Sequence, residues 1–154
     1  MATQKVTPSW GKCDVYVKNL TTNTWAKFAT PVQDSTQFTT NQGESVPAPI
    51  EGGTNEAVRY NANTYQLTFD IRQVPERTDP IVDVDGVVLE EYSVMIIPEN
   101  PAAKGVLVHR AAVNVQTNFN ASDGITKTYT FDTLKPVSGP QVELVKDPKP
   151  PKTA

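Results

Sequence analysis

Residues 105–131 read GVLVHRAAVNVQTNFNASDGITKTYTF. Successive side chains of a strand point to opposite faces, so residues two apart share one face. Leu107, Ala111, Val113, Val115 and Phe119 then continue one face of a long strand, and Ile125, Tyr129 and Phe131 form a matching face after it. Ser122-Asp123-Gly124 supplies the turn between them. The stretch predicts a long antiparallel hairpin, and with it an all-β chain.

Working outward, Val94-Met95-Ile96-Ile97 is apolar on both faces, which predicts a strand covered on both sides by a second sheet or a neighbouring subunit. Pro98 and Pro101 end it. Asp85-Gly86 suits a two-residue hairpin turn with a strand after it, and prolines and charges between Gln73 and Pro80 mark a break. Tyr65, Leu67, Phe69 and Ile71 line one strand face, whereas Val58 and Tyr60 run in the other phase. A bulge or tight turn at Asn61-Ala62-Asn63 would reset the phase and bring all six to the core, leaving Arg59, Gln66, Thr68 and Asp70 to water.

Residues 41–55, NQGESVPAPIEGGTN, hold three Gly and two Pro and read as a long loop. Shorter strands are expected over Lys12–Asn19, Trp25–Ala29 and Ser35–Thr40, with a turn at Thr21–Asn23. Gly139-Pro140 precedes a last strand over Gln141–Val145, and the tail KDPKPPKTA has nothing to bury. The expected organisation is one β domain over residues 1–146 and a flexible proline-rich tail over 147–154. Its fold class is all-β, a two-sheet sandwich or partly closed barrel of seven to eight mainly antiparallel strands with at most one short helix.

Composition agrees with strands. Val and Thr each occur 19 times against six Leu, and β-branched side chains pack well on a pleated surface. Leu, Ile, Val and Phe make up 36 of the 154 residues, above the level of roughly 20% below which chains tend to disorder. A net charge of −3 without any basic run argues against a nucleic-acid-binding surface, which needs clustered Lys and Arg. The first eleven residues, MATQKVTPSWG, lack the apolar stretch of a secretory signal, and no apolar run approaches a membrane span. The expectation is a protein made and kept in a cytosol, with no membrane association.

Chemistry finds little purchase. Cys13 is the sole cysteine and His109 the sole histidine, so neither an internal disulfide nor a multi-histidine zinc site can form. Cys13 alternates with Val15 and Val17 as a core thiol would. Asp79, Asp83 and Asp85 could offer oxygen ligands to calcium, but the Gly and distal Glu of an EF-hand loop are missing, and a solvated turn is the plainer reading. Glu90 and Glu91 are adjacent and point to opposite faces, a poor acid/base pair. Gly52-Gly53 lacks a phosphate-binding pattern. Trp10 and Trp25 suit either a core, an interface or a sugar-stacking platform. No catalytic residue, metal or cofactor is expected.

Two stretches, EGGTNEAVRYNANTYQLTFDI (51–71) and DGVVLEEYSVMIIPENPAAKGVLVHRAAVNVQTNFNASDGITKTYTFDTLKPVSGPQVE (85–143), resemble major tail tube proteins of phages and phage-derived elements of Bacteroides-type bacteria. The resemblance covers roughly residues 51–145. It implies a structural virion protein, not an enzyme, whose copies form hexameric rings that stack into a hollow tube through which DNA passes without specific binding. By the same resemblance the partner is the chain itself, with sheath, tape-measure and baseplate proteins beyond it, and the location is the virion tail. Subunit contacts would come from the termini and the Gly43–Thr54 loop, with Gly43, Val46, Pro47, Pro49, Ile50, Gly52, Gly53 and Trp10 as candidates. The helix such folds pack against the sheet would fall at Glu99–Lys104. The alternative is a secreted β-sandwich carbohydrate-binding or adhesin module using the tryptophans.

Overall fold

The computed structural model describes residues 6–100, 102–146 and 148–151. They form ten strands: β1 Cys13–Asn19, β2 Thr24–Lys27, β3 Gln37–Asn41, β4 Ser45–Pro49, β5 Asn55–Tyr60, β6 Thr64–Arg72, β7 Tyr92–Pro98, β8 Gly105–Asn120, β9 Gly124–Thr133 and β10 Val142–Val145. The fold is all-β, with 52% strand and no helix, and it does not close into a barrel. Eight strands share one antiparallel sheet in the order β2-β1-β7-β8-β9-β6-β3, with β10 also on β8, while β4 and β5 pair only with each other.

The quoted hairpin organises the sheet. The first half of the 16-residue β8 pairs with β7 on one side and β10 on the other; its second half pairs with β9. Between these halves the ladder slips: Val94 faces Val108 but Tyr92 faces Ala111, so His109 and Arg110 together oppose Ser93. The Ser93 hydroxyl donates to the His109 carbonyl at 2.6 Å and occupies an acceptor the slip frees. Such a bulge reverses the facing of every residue beyond it and bends the strand. Val106 and Val108 meet the core before it, and Ala111, Val113 and Val115 after it. Leu107, expected on the same face as Ala111, therefore lies on the opposite one.

The bend folds one half of the sheet over the other. Val15, Val17, Val94 and Val108 of the first half share a core with Leu67, Phe69, Ile71, Tyr129 and Phe131 of the second. Phe28, just after β2, crosses between them and meets Phe69 and Tyr129 edge-on, with ring centroids 5.1 and 4.8 Å away. Edge-to-face contact suits the aromatic quadrupole.

Turn chemistry follows the sequence closely. Asn23 at φ 57° closes the β1-β2 turn, and Asp85 and Gly86 at φ 51° and 83° let Val84 and Val87 exchange both backbone hydrogen bonds. That is the left-handed pair a two-residue hairpin demands. No full strand follows it, however; Val87 makes an isolated bridge to Asn114, and β7 begins at Tyr92. The Glu99–Lys104 segment turns without a helix among its described residues: the Ala102 amide bonds the Asn100 side chain and the Ala103 amide bonds the Asn100 carbonyl.

Further expectations are overturned. The 41–55 stretch is not one long loop, since β3 ends at Asn41 and β4 occupies Ser45–Pro49. Nor do Val58 and Tyr60 reach the core: the break at 61–63 takes β5 out of the main sheet altogether, and both side chains are exposed. Pro47 and Pro49 are tolerated because β4 has a partner on one side only. The tail also buries something, because Pro148 packs over Gly105, where any side chain would strike Pro148 and the Ile96 carbonyl. Pro101 and residues 147 and 152–154 of the tail lie outside the described residues.

Candidate assembly surface

Between the end of β3 and the start of β6 the chain leaves the body as a hairpin arm. At its root the Gly43 amide donates to Asn63 Oδ1 at 2.9 Å and the Asn61 amide to the Glu44 carbonyl at 2.9 Å. Gly43 lies so close to the Asn61 carbonyl that a Cβ would collide with it. At the tip Ile50 and Thr54 close a turn in which Gly52 and Gly53 adopt φ 92° and 87°, which glycine alone reaches without strain. Every residue of β4 and β5 is exposed, and neither strand contacts any other strand. The register Ser45↔Tyr60, Val46↔Arg59, Pro47↔Val58 puts Pro47, Val58 and Tyr60 on one face and Val46, Ala48 and Ala57 on the other. An arm apolar on both faces and buried on neither holds its shape by ladder bonds alone.

The arm springs from a four-stranded unit, β8-β9-β6-β3, whose outer face is hydrophilic. Rows across it read Asn114-Thr130-Thr68-Gln37 and Ala112-Asp132-Gln66-Thr39, followed by Gln116-Thr128-Asp70. Thr128 donates to Asp70 at 2.7 Å and Gln66 to Asp132 at 3.1 Å, so the two carboxylates are held within a lattice of hydroxyls and amides. Arg72, beside Thr126, lies at the margin of this face.

Both edges of this unit are open. Strand β3 pairs only with β6. On β8, the side away from β9 is taken by β7 as far as Ala111 and by Gly86 and Val87 at Asn114 and Val115, and no described strand pairs with it over Gln116–Asn120. Open edges present unpaired amides and carbonyls ready to pair with another chain. Beside the β8 edge runs a ridge of exposed apolar side chains, Val82, Val84, Val87 and Leu89, each 57–93% exposed.

The candidate chemical residues are dispersed or occupied. Asp79 accepts from the Tyr129 hydroxyl at 3.0 Å. Burial, then the Asp79 and Asp83 carboxylates, push that phenol well above its ordinary range. Among the described residues no group of three or more His, Cys, Asp and Glu is placed to hold a metal. Cys13, half-buried, lines a groove with Thr30 and Pro31, whereas His109 lines another with Pro136 and pairs with Glu143 at 3.1 Å. The two are not brought together. Glu91 pairs with Arg110, and Glu90 reaches Asn19.

Asp83 does structural work. The Gly86 amide, donating at 2.8 Å, holds its carboxyl below the ordinary 3.8, and the Lys127 ammonium at 3.4 Å adds to this. A depressed carboxyl stabilises the fold above its unfolded value and ceases to do so as pH falls through the folded one. Asp83→Asn is therefore expected to be less stable than the parent at pH 7, with the gap closing as pH drops through and below 3.8. Urea titrations along that pH range measure it.

Of the eight candidate contact residues, Gly43, Val46, Pro47, Pro49, Ile50, Gly52 and Gly53 are gathered on the arm. Trp10 is not with them; it precedes β1 and is 74% exposed. Trp25 lies on β2 half-buried, with the Lys18 ammonium 5.6 Å from its ring centre. The polar face and the ridge were missed as units by sequence reasoning, although Thr126, Thr128 and Thr130 at spacing two were a visible sign of a hydrophilic strand face. No family model and no curated protein matches the sequence.

Proposed function

We propose that the chain is a tail tube subunit, whose copies form rings that stack into a channel for DNA. The observation that carries this reading is the β8-β9-β6-β3 unit: a polar outer face bounded by two open edges, with an exposed arm at one of them. Rotating a copy about an axis along the strands brings β3 of one beside β8 of the next. Because the four strands alternate in direction, that junction is automatically antiparallel. The open runs match in length, Gln37–Asn41 against Gln116–Asn120. They are also offset along the sheet, since Gln37 shares a row with Asn114, and a closed barrel needs such a stagger.

Six copies would close about 24 strands, which at about 4.8 Å spacing and the roughly 40–45° tilt that such a stagger imposes gives a backbone diameter of about 50 Å. Side chains on the inner face leave room for a duplex. A lining of amides, hydroxyls and the Asp70 and Asp132 carboxylates gives phosphates no basic patch whose counterions could be released, so DNA would pass without adhering. Sheath, tape-measure and baseplate proteins are the partners this role brings with it.

Negative-stain electron microscopy over a concentration series, with light scattering on the same samples, tests the reading. Rings or tubes of uniform width are expected. Monomers at every concentration, also with tail partner proteins added, would remove it and turn attention to a glycan screen centred on Trp10.

A further inference from the structure

We infer that the ridge Val82, Val84, Val87 and Leu89 is the seat for the arm of the neighbouring copy in the ring. The inference rests on the ring reading above and names the contact that locks it. Among the described residues of the body the ridge is the densest run of exposed apolar side chains, four within eight, in a segment that pairs with its own chain only through the isolated bridges Val84–Val87 and Val87–Asn114. Water-exposed apolar clusters of this kind mark contact sites.

Register decides the occupant. The arm leaves the β3 edge at Asn41, in the row that runs through β6, β9 and β8 just short of Ala111, whereas the ridge flanks the opposite edge of the same four strands, with Val87 at Asn114. When Gln37–Asn41 of one copy lies antiparallel to Gln116–Asn120 of the next, Asn41 falls opposite Gln116. The strand runs on from there into the arm, and β8 of the neighbour continues back to Val115 and Asn114, where Gly86 and Val87 are bonded. The arm root thus emerges beside the neighbour's ridge.

Chemistry agrees with the placement. The arm carries Pro47, Val58 and Tyr60 on one face and Val46 on the other, with Ile50 at its tip, and it has no burial of its own. The ridge has apolar side chains and no cover. Each is the surface the other lacks, and the contact is heterologous, so one copy's arm fills the next copy's ridge around a closed ring. The arm is about 17–20 Å long, from five residues in β4 and six in β5 at roughly 3.3 Å each, enough to span the ridge.

Thiol cross-linking tests the contact. In a Cys13→Ser background, Val58→Cys and Leu89→Cys are made as separate proteins, mixed, assembled and treated with a short bis-maleimide. Both sites are exposed, so both variants should fold. A cross-linked dimer is expected in the mixture at least tenfold above either protein alone. A Leu89→Asp variant is expected to stay folded and monomeric at concentrations where the parent forms rings. Rings that form without the mixed cross-link, or Leu89→Asp rings equal to the parent's, would overturn the ridge as seat while leaving the tube intact. A parent that never forms rings would remove both readings together.

Discussion

Excising Ser45–Tyr60 and joining the flanks through a short turn is expected to leave a folded protein that no longer assembles. The arm makes no contact with any other strand, so its removal takes nothing from the core. Its root bonds, Gly43 to Asn63 and Asn61 to Glu44, lie outside the cut and still close the connection between β3 and β6. The thermal midpoint should stay within a few degrees of the parent, because shortening a surface connection changes loop-closure entropy by only about 1 kcal/mol. On the tail tube reading, light scattering should report monomers throughout the concentration range in which rings of the parent are expected. A truncated protein that still forms rings would show that the open edges alone suffice, and an unfolded one would show that the arm braces its own chain.

Phe28→Ala is expected to cost about 3–5 kcal/mol, the range for deleting a buried aromatic side chain. Phe28 is 1% exposed and touches Phe69 and Tyr129 across the fold. It belongs to no strand, so its removal breaks no ladder bond; the loss reads out how firmly the two halves of the bent sheet hold each other. Against the 5–15 kcal/mol of an ordinary domain the effect is large, and a fall in melting temperature on the order of 10 °C should follow. Calorimetry and urea denaturation measure it. Phe38→Ala is the comparison, since Phe38 stacks on Tyr65 near the β3 edge and is only partly buried. A Phe28 effect no greater than that of Phe38 would mean the halves do not depend on their shared aromatic contact.

Much of the fold was legible because strand period and turn chemistry are local. The Ser122-Asp123-Gly124 turn, the Asp85-Gly86 pair and the breaks at Pro98 and Gly139-Pro140 all lie within a residue or two of where the sequence places them. What escaped depends on partners. Val46, Val58 and Tyr60 have strand-like spacing, and a period of two says which residues share a face but not whether that face meets a core, water or another copy. The bulge at His109-Arg110 escaped for a related reason. Nothing in LVHRAA marks the slip, since it comes from the opposing strand, where Ser93 alone faces two residues. Leu107 was assigned to the wrong face on that account. Of the contact candidates, seven share the arm because the Gly- and Pro-rich stretch stands out as one unit, whereas their contact role was implied by the resemblance alone. The ridge was read past because Val82, Val84 and Leu89 flank a correctly recognised turn and look like ordinary strand residues.

The two ends of the β8-β9-β6-β3 unit are unlike. One end bears the arm; at the other, ten residues along β8, the β8-β9 hairpin ends in Phe119, 75% exposed, paired across with Ile125. Copies joined arm end to hairpin end would all point the same way, and each added ring would present the same fresh end as the last. Growth of that kind contains no stopping rule. A tube of such subunits would have a direction, with distinguishable leading and trailing mouths, and its length would have to be dictated by a ruler supplied from outside the subunit.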